Sequence, residues 1–123
     1  MKTVRWAIIG AGGIADRRAI PALLKDPQNE IVAVMDRKEP VAKAIAEKYA
    51  VDRYFTDAGQ MLKSISCDAV YIATPVGLHY EQATMALEQG IHVFMEKPIS
   101  LSYEEGAAIL ETAKRMGKQL TIG

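Results

Sequence analysis

The residue types best suited to chemistry lie in two short stretches and at one isolated carboxylate. Residues 7–16, AIIGAGGIAD, place Gly10-x-Gly12-x-x-Ala15 directly after an apolar run and ahead of a helical pattern. Residues 93–100, VFMEKPIS, place Glu96, Lys97 and Pro98 directly after another apolar run. Asp36 closes a third run, 21 positions beyond Ala15. In the first stretch Gly10 permits a tight turn, Gly12 lets backbone approach a pyrophosphate, and the small Ala15 lets the helix close on the sheet. The helix start then offers amide donors and partial positive charge to phosphates. A glycine turn alone also serves simple packing. A carboxylate placed like Asp36, where it accepts hydrogen bonds from the adenosine ribose hydroxyls, makes the pair a dinucleotide fingerprint.

The same carboxylate repels a ribose 2′-phosphate, while Arg37 and Lys38 follow it and offset part of that repulsion. NAD is therefore expected as cofactor, with NADP the alternative. Asp36 as a simple strand-end cap, and Arg37 with Lys38 as a solvated surface, are the blander readings.

Lys97 is a cation at the end of an apolar strand. Near a reacting oxygen such a cation stabilises the negative charge that develops as an alcohol loses its proton and hydride, so it can polarise, orient or shuttle a proton. Glu96 points to the opposite side if the strand stays extended, and reads as a cofactor-pocket or a structural carboxylate. A surface ion pair at a strand end is the competing reading of Glu96 and Lys97.

The elements that must position these groups follow a repeating pattern. Short Val- and Ile-rich runs alternate with longer stretches of helical spacing, the signature of parallel βαβ units. Strands are expected at Val4–Ile9, Glu30–Met35, weakly at Arg53–Phe55, at Ala69–Ala73, at Ile91–Met95 and from Gln119 onward. The helix after the glycine turn contains Pro21, which should kink or split it. Pro40 opens a helix with Val41, Ala44, Ile45 and Lys48 expected on one face. Asp57 is expected to cap a short helix carrying Met61 and Leu62. Thr74-Pro75-Val76-Gly77 breaks the chain before a helix with His79, Ala83, Ala86 and Leu87, and Gly90 stops it. Ser102 and Glu105 match a capping box for a last helix bearing Ala108, Ile109, Ala113 and Met116. The expected fold is α/β: a Rossmann-type doubly wound parallel sheet in three αβα layers, occupying residues 1–123 as one dinucleotide-binding domain.

Composition narrows the partners. The 123 residues carry 15 basic and 15 acidic side chains, which gives no electrostatic footprint for nucleic acid or an anionic membrane. The single Cys67 and two distant histidines argue against a disulfide framework or a metal centre, and Cys67 reads as an inert thiol near a strand start. No run approaches a membrane span and the N-terminal apolar segment is too brief for a signal-peptide core, so a cytoplasmic setting is expected. His92 falls at the edge of the sheet away from the strand carboxyl ends, and Tyr71 reads as core.

Three ordered motifs, Gly10-Ala11-Gly12-Gly13-Ile14-Ala15, Thr74-Pro75-Val76-Gly77-Leu78-His79 and Glu96-Lys97-Pro98, give the chain a further reading. It resembles the N-terminal domain of the glucose-fructose oxidoreductase, inositol dehydrogenase and rhizopine catabolism oxidoreductase family. The resemblance implies a nicotinamide dinucleotide as cofactor and a sugar, polyol or related hydroxyl or carbonyl substrate. It assigns Lys97 to the substrate oxygen beside the nicotinamide. Gly10, Gly12, Gly13, Ile14, Asp36, Arg37, Thr74, Pro75, His79, Glu96 and Lys97 form the expected cofactor-binding set, with His79 read chiefly as a packing or helix-capping residue. It also implies a C-terminal substrate domain beyond Gly123 that supplies an aspartate, an acid/base histidine and oligomer contacts. A separate dinucleotide-binding regulatory or redox-sensing module is the alternative, and an S-adenosylmethionine site on a similar sheet leaves Lys97 without a purpose.

Overall fold

The computed structural model describes residues 3–123; Met1 and Lys2 of the expected domain lie outside the described residues. Among these, six strands form one parallel sheet: β1 (Val4–Ile9), β2 (Asn29–Met35), β3 (Tyr54–Phe55), β4 (Ala69–Ile72), β5 (His92–Met95) and β6 (Leu120–Ile122). Their spatial order is β3-β2-β1-β4-β5-β6. The strand order reverses between β1 and β4, where ligands of such sheets bind outside the carboxyl ends of the strands. The fold is the expected α/β doubly wound sheet, and the strand bounds differ from the sequence reading by about one residue at an end.

The central strands are near-continuous apolar runs because both faces are covered. Ala7, Ile9, Val70, Ile72, Val93 and Met95 pack under α3 (Ala58–Ser64), α4 (His79–Glu88) and α5 (Tyr103–Met116). Ile8, Val34 and Tyr71 pack on the other face, under α1 (Ile20–Leu24) and α2 (Glu39–Lys48). Fully buried side chains such as Ile8, Ile9, Ile72 and Met95 each contribute about 1.5–3 kcal/mol of transfer free energy.

Pro21 neither splits the first helix nor stops it; the helix instead changes register just ahead of it. Residues Ala15–Ala19 are π-helical and run straight into α1, the Ile20 N–H bonding to the Ala15 carbonyl five residues back. Proline cannot donate, and its ring crowds the carbonyl four residues earlier, so a wider turn upstream relieves the crowding. Asp57 and Ser102 cap α3 and α5 by accepting the Gln60 and Glu105 N–H. The face of α2 requires correction. Ala42, Ile45 and Ala46 are its buried residues and Val41 is half-buried, whereas Ala44 and Lys48 are exposed. Tyr49, after the helix, extends this stripe and hands its hydroxyl to Asp16 on the π-helical turn.

Candidate dinucleotide site

The glycine turn is pinned by backbone to the end of the neighbouring strand. Gly10 and Ala11 donate to the Met35 carbonyl at 2.9 and 2.8 Å. Gly10 adopts φ +88°, and a Cβ there would lie 2.9 Å from the carbonyl carbon of Ala73, so both conformation and space demand glycine where β1 meets the end of β4. Gly13 adopts φ +66° with open space around it, so conformation alone selects glycine there. Ala15 is fully buried and seats the helix on the sheet, while Ile14 is half-buried beside it.

Asp36 follows β2 and its carboxylate is held in place. One oxygen accepts the Gly12 N–H at 3.2 Å and the other the Lys38 N–H at 3.0 Å. A Cβ on Gly12 would sit 3.2 Å from that carboxylate and 3.1 Å from Val41, so the missing side chain admits both neighbours. Arg37 is exposed beside it. Gly10, Gly12, Asp36, Arg37, Thr74 and Pro75 all line one cleft of about 170 Å³. A larger concavity of about 740 Å³ lies at the opposite edge of the sheet. Leu24, Tyr49 and Ser64, at the carboxyl ends of three helices, line it together with Arg5 and Arg53, and Arg53 donates to the Ser64 carbonyl at 3.0 Å.

Lys97 and Pro98 form the turn after β5, joined by a cis peptide bond. The Lys97 side chain is exposed, and among the described residues no carboxylate stands within ion-pair distance of it. Glu96 is engaged elsewhere: its carboxylate accepts the Tyr71 hydroxyl, and Tyr71 stacks on Phe94. Burial, then the bond to Glu96, pushes the Tyr71 phenol above its usual value, so it stays a donor through the ordinary pH range. Sequence reasoning read Tyr71 as core alone; the tie to a residue 25 positions away has no local signature.

His79 requires correction as a cofactor contact. At 1% exposure it has no surface to offer a ligand. Its ring lies between two carbonyls, Nδ1 2.9 Å from Pro98 O and Nε2 3.0 Å from Thr74 O. It does not cap α4 either, since no side-chain bond caps that helix. Thr74 donates its hydroxyl to Gln82 at 2.5 Å, and Pro75 is exposed at the cleft. His92 lies at the far edge, where its Nδ1 accepts the Gln119 N–H.

Sheet order, glycine turn and the carboxylate beyond β2 define a class, the Rossmann-type dinucleotide-binding α/β proteins. Residues 4–123 match the oxidoreductase family with an NAD-binding Rossmann fold, and the chain belongs to that family. It is 38% identical over 117 residues to D-glucoside 3-dehydrogenase of Escherichia coli K12, covering 95% of this chain and 33% of that protein. It is 31% identical over 120 residues to scyllo-inositol 2-dehydrogenase (NAD(+)) of Bacillus subtilis 168, covering 98% of this chain and 35% of that protein. The crystal structure of the WlbA dehydrogenase from Chromobacterium violaceum in complex with NADH and UDP-GlcNAcA superposes with a TM-score of 0.94 at 31% identity, over 100% of this chain and 35% of that one. The chain spans about a third of the length of the curated relatives it matches. Among the described residues no helix is long and apolar enough to cross a membrane.

Proposed function

We propose that residues 1–123 form the dinucleotide-binding domain of a dehydrogenase that moves a hydride between nicotinamide and a sugar, polyol or related hydroxyl or carbonyl substrate. The observation that carries this reading is the cleft at the β1/β4 reversal. It holds a glycine cradle that a Cβ would fill and a carboxylate already fixed by the cradle's own N–H. The residues fit the cofactor. Gly10, Gly12, Gly13 and Ile14 receive the pyrophosphate, Asp36 accepts the adenosine ribose hydroxyls, and Thr74 and Pro75 line the nicotinamide side. When bound, the nicotinamide supplies the carbon that exchanges hydride. Lys97 faces the substrate oxygen and stabilises its developing negative charge. Glu96 is held by Tyr71 and serves as a structural carboxylate.

NAD is favoured over NADP. Among the described residues no ion pair diminishes the Asp36 charge that would meet the ribose, and the exposed Arg37 and Lys38 offset only part of its repulsion for a 2′-phosphate. The substrate pocket and the acid/base group are expected from a C-terminal domain of the kind that the family resemblance implies. The reading includes a cytoplasmic setting, a homo-oligomeric assembly and no nucleic-acid or membrane partner.

The test is titration of the 123-residue chain with NADH and NADPH by calorimetry, with Asp36→Ala alongside. Binding of NADH in the micromolar to sub-millimolar range, weakened by the substitution about tenfold or more, supports the reading; the loss of one charge-assisted pair of hydrogen bonds is of that size. NADH affinity unchanged in Asp36→Ala would remove the carboxylate from the site, and failure to bind either dinucleotide would remove the site.

A further inference from the structure

We propose that His79 is a positioning residue for Lys97, acting through its hydrogen bond to the Pro98 carbonyl. This rests on the reading of Lys97 as the cation at the reacting end of the cleft. Among the described residues the Lys97 ammonium has no partner that would aim it, and its four-carbon stem is flexible, so its direction comes from the backbone that carries it. That backbone is tied on both sides. Before Lys97, the Glu96 N–H bonds to Ile72 O at 3.0 Å, and the Glu96 carboxylate takes the Tyr71 hydroxyl on the α1–α2 face of the sheet. After Lys97, the Pro98 carbonyl meets His79 Nδ1 at 2.9 Å at the start of α4, on the opposite face.

The His79 contacts are chemically selective. Both partners are carbonyl oxygens, which only accept, so each contact is a hydrogen bond only when the ring nitrogen facing it carries a proton. A neutral ring serves one carbonyl and the imidazolium serves both. The second carbonyl belongs to Thr74, whose hydroxyl donates to the buried Gln82 one turn further along α4. The first turn of α4 thus joins the loop after β4, which lines the cleft, to the turn that presents Lys97. A residue needed only to fill space would not set each ring nitrogen within 3.0 Å of a carbonyl oxygen.

Two substitutions separate these contacts, because the amide nitrogen of asparagine overlays Nδ1 of histidine and that of glutamine overlays Nε2. His79→Asn retains a donor toward Pro98, and His79→Gln retains one toward Thr74. In the ligand-free 123-residue chain, the ¹⁵N order parameter of the Lys97 amide should stay near the rigid value of about 0.85 in the wild type and in His79→Asn, and fall toward about 0.6 in His79→Gln. Equal order parameters in the two variants, whether high or low, would overturn the proposal. Since a buried substitution can prevent folding, the wild type also decides. A scalar coupling across the hydrogen bond from His79 Nδ1 to the Pro98 carbonyl carbon supports the proposal, and its absence overturns it. NADH is then added to the wild type and read at the Lys97 Cε–Hε signal. No shift with NADH bound sinks the role given to Lys97, while the order parameters and the coupling still decide the role of His79.

Discussion

Among the described residues Lys97 has no ion-pair partner, while Glu96 and Pro98 on either side of it are both engaged. A residue so placed gains nothing for the fold from its ammonium, so its removal should separate binding from turnover. In the full-length protein, Lys97→Met is expected to leave NADH affinity within a few-fold and to reduce turnover by about 10² or more, measured by steady-state kinetics beside calorimetry. Equal turnover of variant and parent would take Lys97 out of the reaction. Cys67 shows the opposite case. Burial, then the charge of Asp68, pushes its thiol up to about 11. Thiolate is therefore scarce at pH 8, and alkylation there should run about 10²-fold slower than for a free cysteine, rising as the pH approaches 11 and on unfolding. A rate equal to that of glutathione in mass spectrometry would contradict the half-buried placement. At this scale the sequence was legible where a placement follows from spacing along the chain, as with Gly10, Gly12 and Asp36, which meet at one turn. It was not legible where two loops had to meet first: His79 finds Thr74 five residues back and Pro98 nineteen ahead. The tie between Tyr71 and Glu96 was hidden in the same way.

Among the elements, the glycine turn makes two separable demands, and its two left-handed glycines divide them. Gly10→Ala combines an unfavourable φ with a Cβ 2.9 Å from the Ala73 backbone, whereas Gly13→Ala meets only the unfavourable φ. Thermal or denaturant unfolding should show Gly13→Ala costing about 1 kcal/mol and Gly10→Ala about 2–4 kcal/mol, because backbone cannot yield as a side-chain tip can. Equal costs would mean that β1 and β4 adjust freely at their ends. Strands and helices were legible because apolar runs and helical periods report burial directly. The α2 face was misjudged because Ala44 and Lys48 share a helical period with Val41 and Ile45, and only contact with the sheet shows that Ala42 and Ala46 complete the stripe. Pro21 announced a disturbance, but a kink, a break and a π-turn are alike in sequence.

For the whole molecule, one cluster joins the two helical segments that cover one face of the sheet. Asp16, on the π-helical turn, takes Lys48 at 2.8 Å and the Tyr49 hydroxyl at 2.7 Å, from the end of α2. Lys48, then Tyr49, holds the Asp16 carboxyl below its usual value. A carboxyl depressed in the folded state contributes stability above its unfolded value of about 3.9, and loses it as pH falls through the folded value. Asp16→Asn is therefore expected to lower Tm slightly at pH 7, by about 2 °C for so exposed a pair, and to leave it unchanged near pH 2. A drop of the same size at both pH values would assign the loss to packing. The strand order has a consequence of another kind, one of length. Asp36 follows β2 and Lys97 follows β5, with β1 and β4 between them, so the sheet itself sets them three strand spacings apart, roughly 14 Å at about 4.8 Å each. Hydrogen-bonded strands do not stretch, so the sheet works as a gauge. On the proposed binding mode AMP and nicotinamide mononucleotide would occupy opposite halves of that span, and joining them into one molecule would gain affinity chiefly because capture of one end delivers the other.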